Sequence, residues 1–167
     1  MAATYEPIAT QTLGSSVSSV TFSSIPQTYT DLVIVQSAFV ANQMDTRLQF
    51  NGDTGSNYSW TVLFGSGSAA GSYRESNKTA IPTGYYSQID ISPATSTFII
   101  QIMNYSNATT NKTVLTRGNN AASGRGVDAI VGLWRSTAAI TSVALNVDAS
   151  HQYTSGSTFT LYGIKAA

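Results

Sequence analysis

The chain has 167 residues, a formal net charge of zero from eight Lys/Arg and eight Asp/Glu, and no cysteine. Charged residues make up 10% of it, against roughly 25% in an ordinary soluble domain, and 23 Ser and 22 Thr fill the gap. Two Trp, six Phe and nine Tyr need burial, which excludes disorder, and scattered, balanced charge excludes a nucleic-acid grip.

In chain order, the start Met1-Ala2-Ala3-Thr4-Tyr5-Glu6-Pro7 has neither a basic nor an apolar region of the kind that directs secretion. The longest strongly apolar run, Leu32 to Val35, is far short of the roughly 20 residues that span a bilayer. Synthesis and retention in a cytoplasm are therefore expected. Residues 1–13 read as an N-terminal arm or edge strand, and 14–167 as a single β-sandwich domain. A domain of this size buries about 70% of its unfolded surface and needs neither disulfide nor metal to fold.

The apolar periodicity is two almost throughout. Eleven stretches show strand periodicity, near residues 5–13, 17–23, 31–40, 45–50, 57–64, 79–91, 96–104, 112–117, 127–134, 140–147 and 157–164, and about nine or ten strands are expected from them, the number depending on how 79–91 divides. Val20 and Phe22, then Phe98, Ile100 and Ile102, then Val143, Leu145 and Val147 each share one strand face. Leu32–Val40 and Ala129–Trp134 are apolar on both faces and read as central strands. Ser24-Ile25-Pro26-Gln27 is a turn, and Asn51-Gly52 is a hairpin signal because both residues tolerate positive φ. The stretches 65–71 and 118–124 read as flexible, Gly-rich loops. An all-β, antiparallel two-sheet sandwich of jelly-roll type fits this pattern.

Catalytic chemistry finds little to work with. A Ser-His-Asp arrangement would have to use His151, with Asp148 three residues away, and no G-x-S-x-G elbow is present. His151 reads as a turn residue after a strand. Asn51-Gly52-Asp53-Thr54-Gly55-Ser56-Asn57 has oxygen ligands at alternate positions, like half a calcium loop, but Val62 stands where the bidentate Glu is needed. It reads as a hairpin loop held by Asp and Asn side chains. Glu6 and Glu75 could supply half of a glycosidase carboxylate pair, yet both fall in segments with no sign of burial. No metal, cofactor or enzymatic role is expected.

Aromatic residues are the better binding candidates. Tyr58 and Trp60 share a strand face, and Tyr85 and Tyr86 are adjacent, so in a strand one of them faces outward. Exposed Tyr and Trp stack on sugar faces and anchor protein interfaces; the competing role is closure of the sandwich core. Tyr5, Ile8 and Leu13 are candidates for contact with a neighbouring subunit, through an arm or an added strand.

Several segments together carry a resemblance. Ser24–Leu32, Phe50–Tyr58, Gly132-Leu133-Trp134 and the closing Thr160–Lys165 are, in this order and spacing, similar to small β-sandwich virion proteins of tailed bacteriophages, cyanophages included. The resemblance spans about 140 residues and carries over no site residue. It implies a structural role: a capsid decoration (cement) protein bound to the major capsid protein of the same particle, often as a homotrimer, assembled in the host cytoplasm. The alternative it leaves is a head- or tail-fibre module that binds host-surface carbohydrate through Tyr58, Trp60, Tyr85 or Tyr86. A chain of 167 residues has little room for a fibre shaft, which favours decoration. Neither role involves a membrane.

Overall fold

A computed structural model describes residues 4–40, 45–89, 96–120, 125–148 and 150–165. Twelve strands occur among them: β1 (Tyr5–Thr12), β2 (Ser19–Phe22), β3 (Asp31–Ala38), β4 (Thr46–Phe50), β5 (Tyr58–Gly65), β6 (Ala70–Lys78), β7 (Ile81–Pro82), β8 (Ser96–Met103), β9 (Lys112–Asn119), β10 (Val127–Trp134), β11 (Val143–Val147) and β12 (Thr158–Ile164). They form an eight-stranded sheet in the order β1-β12-β3-β8-β9-β10-β5-β6 and a four-stranded sheet in the order β2-β11-β4-β7. All pairings are antiparallel.

The protein is an all-β sandwich, and the chain crosses between sheets as a jelly roll does. Strands β2, β4, β7 and β11 lie in the small sheet; β3, β5–β6 and β10 lie in the large one. The hairpin β8–β9 is inserted between β3 and β10, and the pair β1–β12 widens the other edge. Without those additions two four-stranded sheets remain, the eight strands of a double Greek key. Alternation drives the packing. In β8, Ser96, Phe98, Ile100 and Ile102 are buried while Thr97, Ile99 and Gln101 are only partly so. Leu48, Phe50, Val143 and Leu145 from the small sheet close the core against them.

Three sequence expectations are corrected. Asn51-Gly52 does adopt positive φ at both residues, 52° and 68°, but β4 and β5 lie in different sheets, so the turn is an arch between layers and not a hairpin. The Asn51 side chain holds that arch, donating to Ala139 O and accepting from the amides of Thr141 and Ser142. The flexible loop expected over 65–71 is a short turn at Ser66–Ala69, closed by the Ser66 amide on Ala69 O, after which β6 begins. Strand β6 escaped the periodicity because it is an edge strand, exposed or half-buried on both faces, so no apolar alternation marks it. The strand expected over 79–91 is confined to Ile81–Pro82, and residues beyond Ile89 in that range lie outside the described ones. Tyr85–Ser87 turn away because their amides go to a side chain instead of a neighbouring strand.

Within the arch, the Asp53 carboxylate accepts from Trp134 Nε1 at 2.7 Å, Asn57 Nδ2 at 2.9 Å and the Gly55 amide at 2.8 Å. These donors, the indole first, hold its pKa below the usual carboxylate value. A depressed folded-state value means stabilisation that is present above the unfolded aspartate pKa of about 3.9 and is lost as pH falls through the folded one. Urea unfolding at successively lower pH should therefore show wild-type protein losing more stability below about pH 4 than Asp53→Asn does. Parallel curves would refute the assignment.

Candidate functional site

The two sheets differ in width, and the mismatch creates the site. Ile81 of β7, fully buried, packs on Gly132 of β10 where the small sheet ends over the large one. Beyond it the inner faces of β5 and β6 are uncovered by strand. Register places Trp60, Val62 and Phe64 of β5 on that face, opposite Glu75, Tyr73 and Gly71 of β6. Phe64 lies directly over Gly71, where any Cβ would fall 2.8 Å from the ring.

The loop after β7 folds over these rings. Its anchor is Asp128, a buried carboxylate on the inner face of β10. Asp128 accepts hydrogen bonds from the amides of Tyr85, Tyr86 and Ser87 at 2.6, 2.9 and 2.8 Å, and from Ser87 Oγ at 2.6 Å. Three successive amides converging on one carboxylate curl the backbone into a concave turn and fix two adjacent tyrosines. Tyr85 then meets Trp60, Phe64 and Tyr73 with centroids 6.2, 5.5 and 6.0 Å apart, and Tyr86 stacks on Phe64 at 4.4 Å. Five aromatic rings thus form one contiguous cluster, with Tyr73 and Tyr86 exposed and Trp60, Phe64 and Tyr85 half-buried.

Two clefts of about 330 Å³ each open beside the cluster and share Tyr85 and Asp45. Arg47, Lys78 and Pro82 complete the first, Gln88 and Arg125 the second. The rim is polar and largely self-neutralised. Glu75 accepts from Tyr73 Oη at 2.5 Å and pairs with Lys78 at 3.1 Å; Arg47 pairs with Asp148 at 3.3 Å. The Tyr73 hydroxyl, then Lys78, holds the Glu75 pKa down, and the same hydrogen bond raises that of Tyr73. Burial pushes the Asp45 carboxyl up, against a hydrogen bond from Gln88 and the nearby Arg47 charge.

A second feature lies on the opposite face of the same strands. Leu63, Val127 and Val131 point outward and are 62%, 58% and 55% exposed. Cross-strand register sets Leu63 beside Ala129 and Val131 beside Leu115, so the apolar stripe runs across β5, β10 and β9. A groove of about 480 Å³ lined by Ser59, Thr61, Arg74, Val131 and Leu133 borders it.

The sequence candidates separate cleanly. Trp60, Tyr85 and Tyr86 come together in the cluster. Tyr58 does not: it is fully buried, its hydroxyl donates to Asp53 O and accepts from the Phe50 amide, and it stacks on Trp134. Its shared parity with Trp60 is real, but at Tyr58 the small sheet still covers the inner face, so no sugar reaches it. Tyr5 is 59% exposed on edge strand β1, which pairs along β12 of the same chain. Ile8 and Leu13 are partly buried against that chain's own core. His151 has Ser150 Oγ 2.9 Å from Nδ1, while Arg47 engages Asp148. Among the described residues no three His, Cys, Asp or Glu side chains converge as metal ligands.

Phe64, Tyr73, Asp45 and Asp128 were not foreseen. Phe64 was findable, four residues from Trp60 on a strand of even parity. Tyr73 was hidden by the polar edge strand, and Asp45 and Asp128 act through contacts 40 or more residues away in the chain. No family model, curated protein or solved structure matches the chain.

Proposed function

We propose that the protein is a non-enzymatic virion structural protein, a decoration protein that seats on the outer shell of a tailed phage and stabilises it. The observation that carries this reading is the stripe Leu63–Val127–Val131, each residue more than half exposed on a rigid, fully paired sheet. Contiguous apolar surface of this kind marks a protein contact, and strands paired on both sides present it without an ordering cost. Arg117 beside Ala129 and Arg74 beside Thr61 border it, among the hydroxyls of Ser59, Thr61 and Thr113, so the desolvation penalty against a capsid protein falls mainly on those two cations. Zero net charge also permits close packing of copies, consistent with a homotrimer on the shell.

The test is co-sedimentation with emptied capsids of the phage that encodes the chain. Wild-type protein should pellet with them, and Leu63→Asp/Val131→Asp should bind at least tenfold more weakly with its melting temperature within a few degrees of wild type, as both positions are exposed. Absence of wild-type binding, or full binding by the double variant, would reject the proposal.

A further inference from the structure

The aromatic cluster is built as a ligand site, and it faces away from the stripe proposed to meet the capsid. We propose that the trough around Tyr85, between Trp60, Tyr73, Tyr86 and the Asp45 carboxylate, binds a neutral hexose oligosaccharide. The inference stands independently of the capsid contact.

Four observations point to this ligand. First, the rings are held open. Tyr73 and Tyr86 expose 45% and 37% of their surface although five aromatic side chains in mutual contact would gain by deeper burial. The Asp128 clamp prevents that collapse by fixing the Tyr85–Ser87 backbone. Second, the two clefts lie at the small end of the roughly 300–1,000 Å³ range of small-ligand sites, and they combine an aromatic floor with a few convergent polar groups. Pyranose rings present C–H faces to aromatic rings and hydroxyls to the rim, which is the same division of surface.

Third, Asp45 Oδ1 is buried and accepts no hydrogen bond, although the residue lines both clefts. A buried acceptor without a donor is costly, and rotation of the Asp45 side chain toward a sugar hydroxyl in either cleft supplies the donor. Fourth, the charges at the rim sum to zero: Arg47 pairs with Asp148 and Lys78 with Glu75, and Arg125 and Asp45 add one of each sign. The trough therefore offers hydrogen bonds without net attraction for an anion, which favours a neutral saccharide over an acidic one.

The experiment titrates the full-length protein with maltohexaose, cellohexaose, mannohexaose and, as the charged comparison, hexagalacturonate. Binding is read by calorimetry and by tryptophan fluorescence. Of the two tryptophans Trp134 is buried, so a change in emission reports Trp60 in the trough. At least one neutral hexamer should bind with a millimolar or tighter constant and shift the emission. Tyr85→Ala and Asp45→Ala should each weaken it about tenfold or more, a loss worth about 1.4 kcal/mol. Asp45→Ala guards against misfolding as the cause, because relief of the unpartnered Oδ1 offsets loss of the Gln88 hydrogen bond at a half-buried position, and the melting temperature should stay within a few degrees of wild type.

The proposal is overturned if no neutral hexamer binds, if binding survives both substitutions, or if only hexagalacturonate binds and added salt abolishes it. It is equally overturned if Tyr85→Ala loses capsid binding while the wild type binds no saccharide, for the trough is then a protein contact.

Discussion

Asp128→Ala is expected to destabilise the protein by about 3 kcal/mol and to release the loop that carries Tyr85 and Tyr86. The wild-type carboxylate is 5% exposed and accepts from three backbone amides and one hydroxyl. Alanine leaves those donors facing a vacated pocket. Ser87, fully buried, cannot turn its amide to water without moving the loop. For a domain of this size the melting temperature should fall by roughly 6–12 °C. Amide exchange at Tyr85–Ser87 should lose its protection and Trp60 emission should shift to the red as Tyr85 leaves it. Asp128→Asn should be only partly corrective: all four donors converge on Oδ2, where an uncharged amide oxygen is the weaker acceptor, and the Asn Nδ2 would face the Tyr86 amide that also reaches Oδ1 at 3.1 Å. A melting temperature within 2 °C of wild type in Asp128→Ala would show that the loop is held by its aromatic packing instead.

The second large effect is expected at Gly118. A Cβ there would stand 2.3 Å from Ser87 Oγ and 2.7 Å from the Phe98 ring, so the glycine is what lets the loop and the ring approach β9. Gly118→Val should cost about 3 kcal/mol, because Ser87 and Phe98 are both buried and must be displaced to admit the side chain. The displaced Ser87 would also leave Asp128. The two substitutions therefore damage one unit, and Gly118→Val/Asp128→Ala should cost less than the sum of the singles by about 1 kcal/mol or more. Thermal or urea unfolding of the four proteins measures this. Strict additivity would mean that Gly118 is needed for Phe98 packing alone.

Most of the sandwich was legible because the strands that form its core alternate with period two. β8, β11 and β12 bury every second residue, and their sequences say so. The two segments apolar on both faces are indeed interior strands of the large sheet, β3 and β10. Their outward residues are not all covered: Val33 is buried, whereas Val127 and Val131 face solvent. A local pattern of hydrophobicity registers the apolar residue and cannot tell whether another layer lies above it. Of the outer stripe only Val131 falls in a segment apolar on both faces, and its place in a central strand leaves its outer side uncovered. β6 was lost for the opposite reason, since an edge strand with neither face buried has nothing to alternate.

The candidate site was half visible. Strand parity marks Tyr58 and Trp60 and adjacency marks Tyr85 and Tyr86, but Tyr58 is core and Tyr73 lies in a strand with no apolar alternation. Which aromatic residue is floor, platform or filler depends on where the four-stranded sheet stops over the eight-stranded one. That is a property of strand order, set by pairings between residues up to about 160 positions apart.

Period-two alternation determined the β-fold from the sequence alone, and the scarcity of charge with the wealth of Ser and Thr determined its neutral, hydroxyl-rich composition. They follow from residue chemistry and strand propensity, which need no partner to be read. The tertiary structure alone decided where that surface is interrupted: an apolar stripe on one face, and on the other an aromatic trough clamped by Asp128. Both arise because unequal sheets leave one inner end open and bring a β10 carboxylate beneath a distant loop, and such long-range juxtaposition has no local trace in the chain.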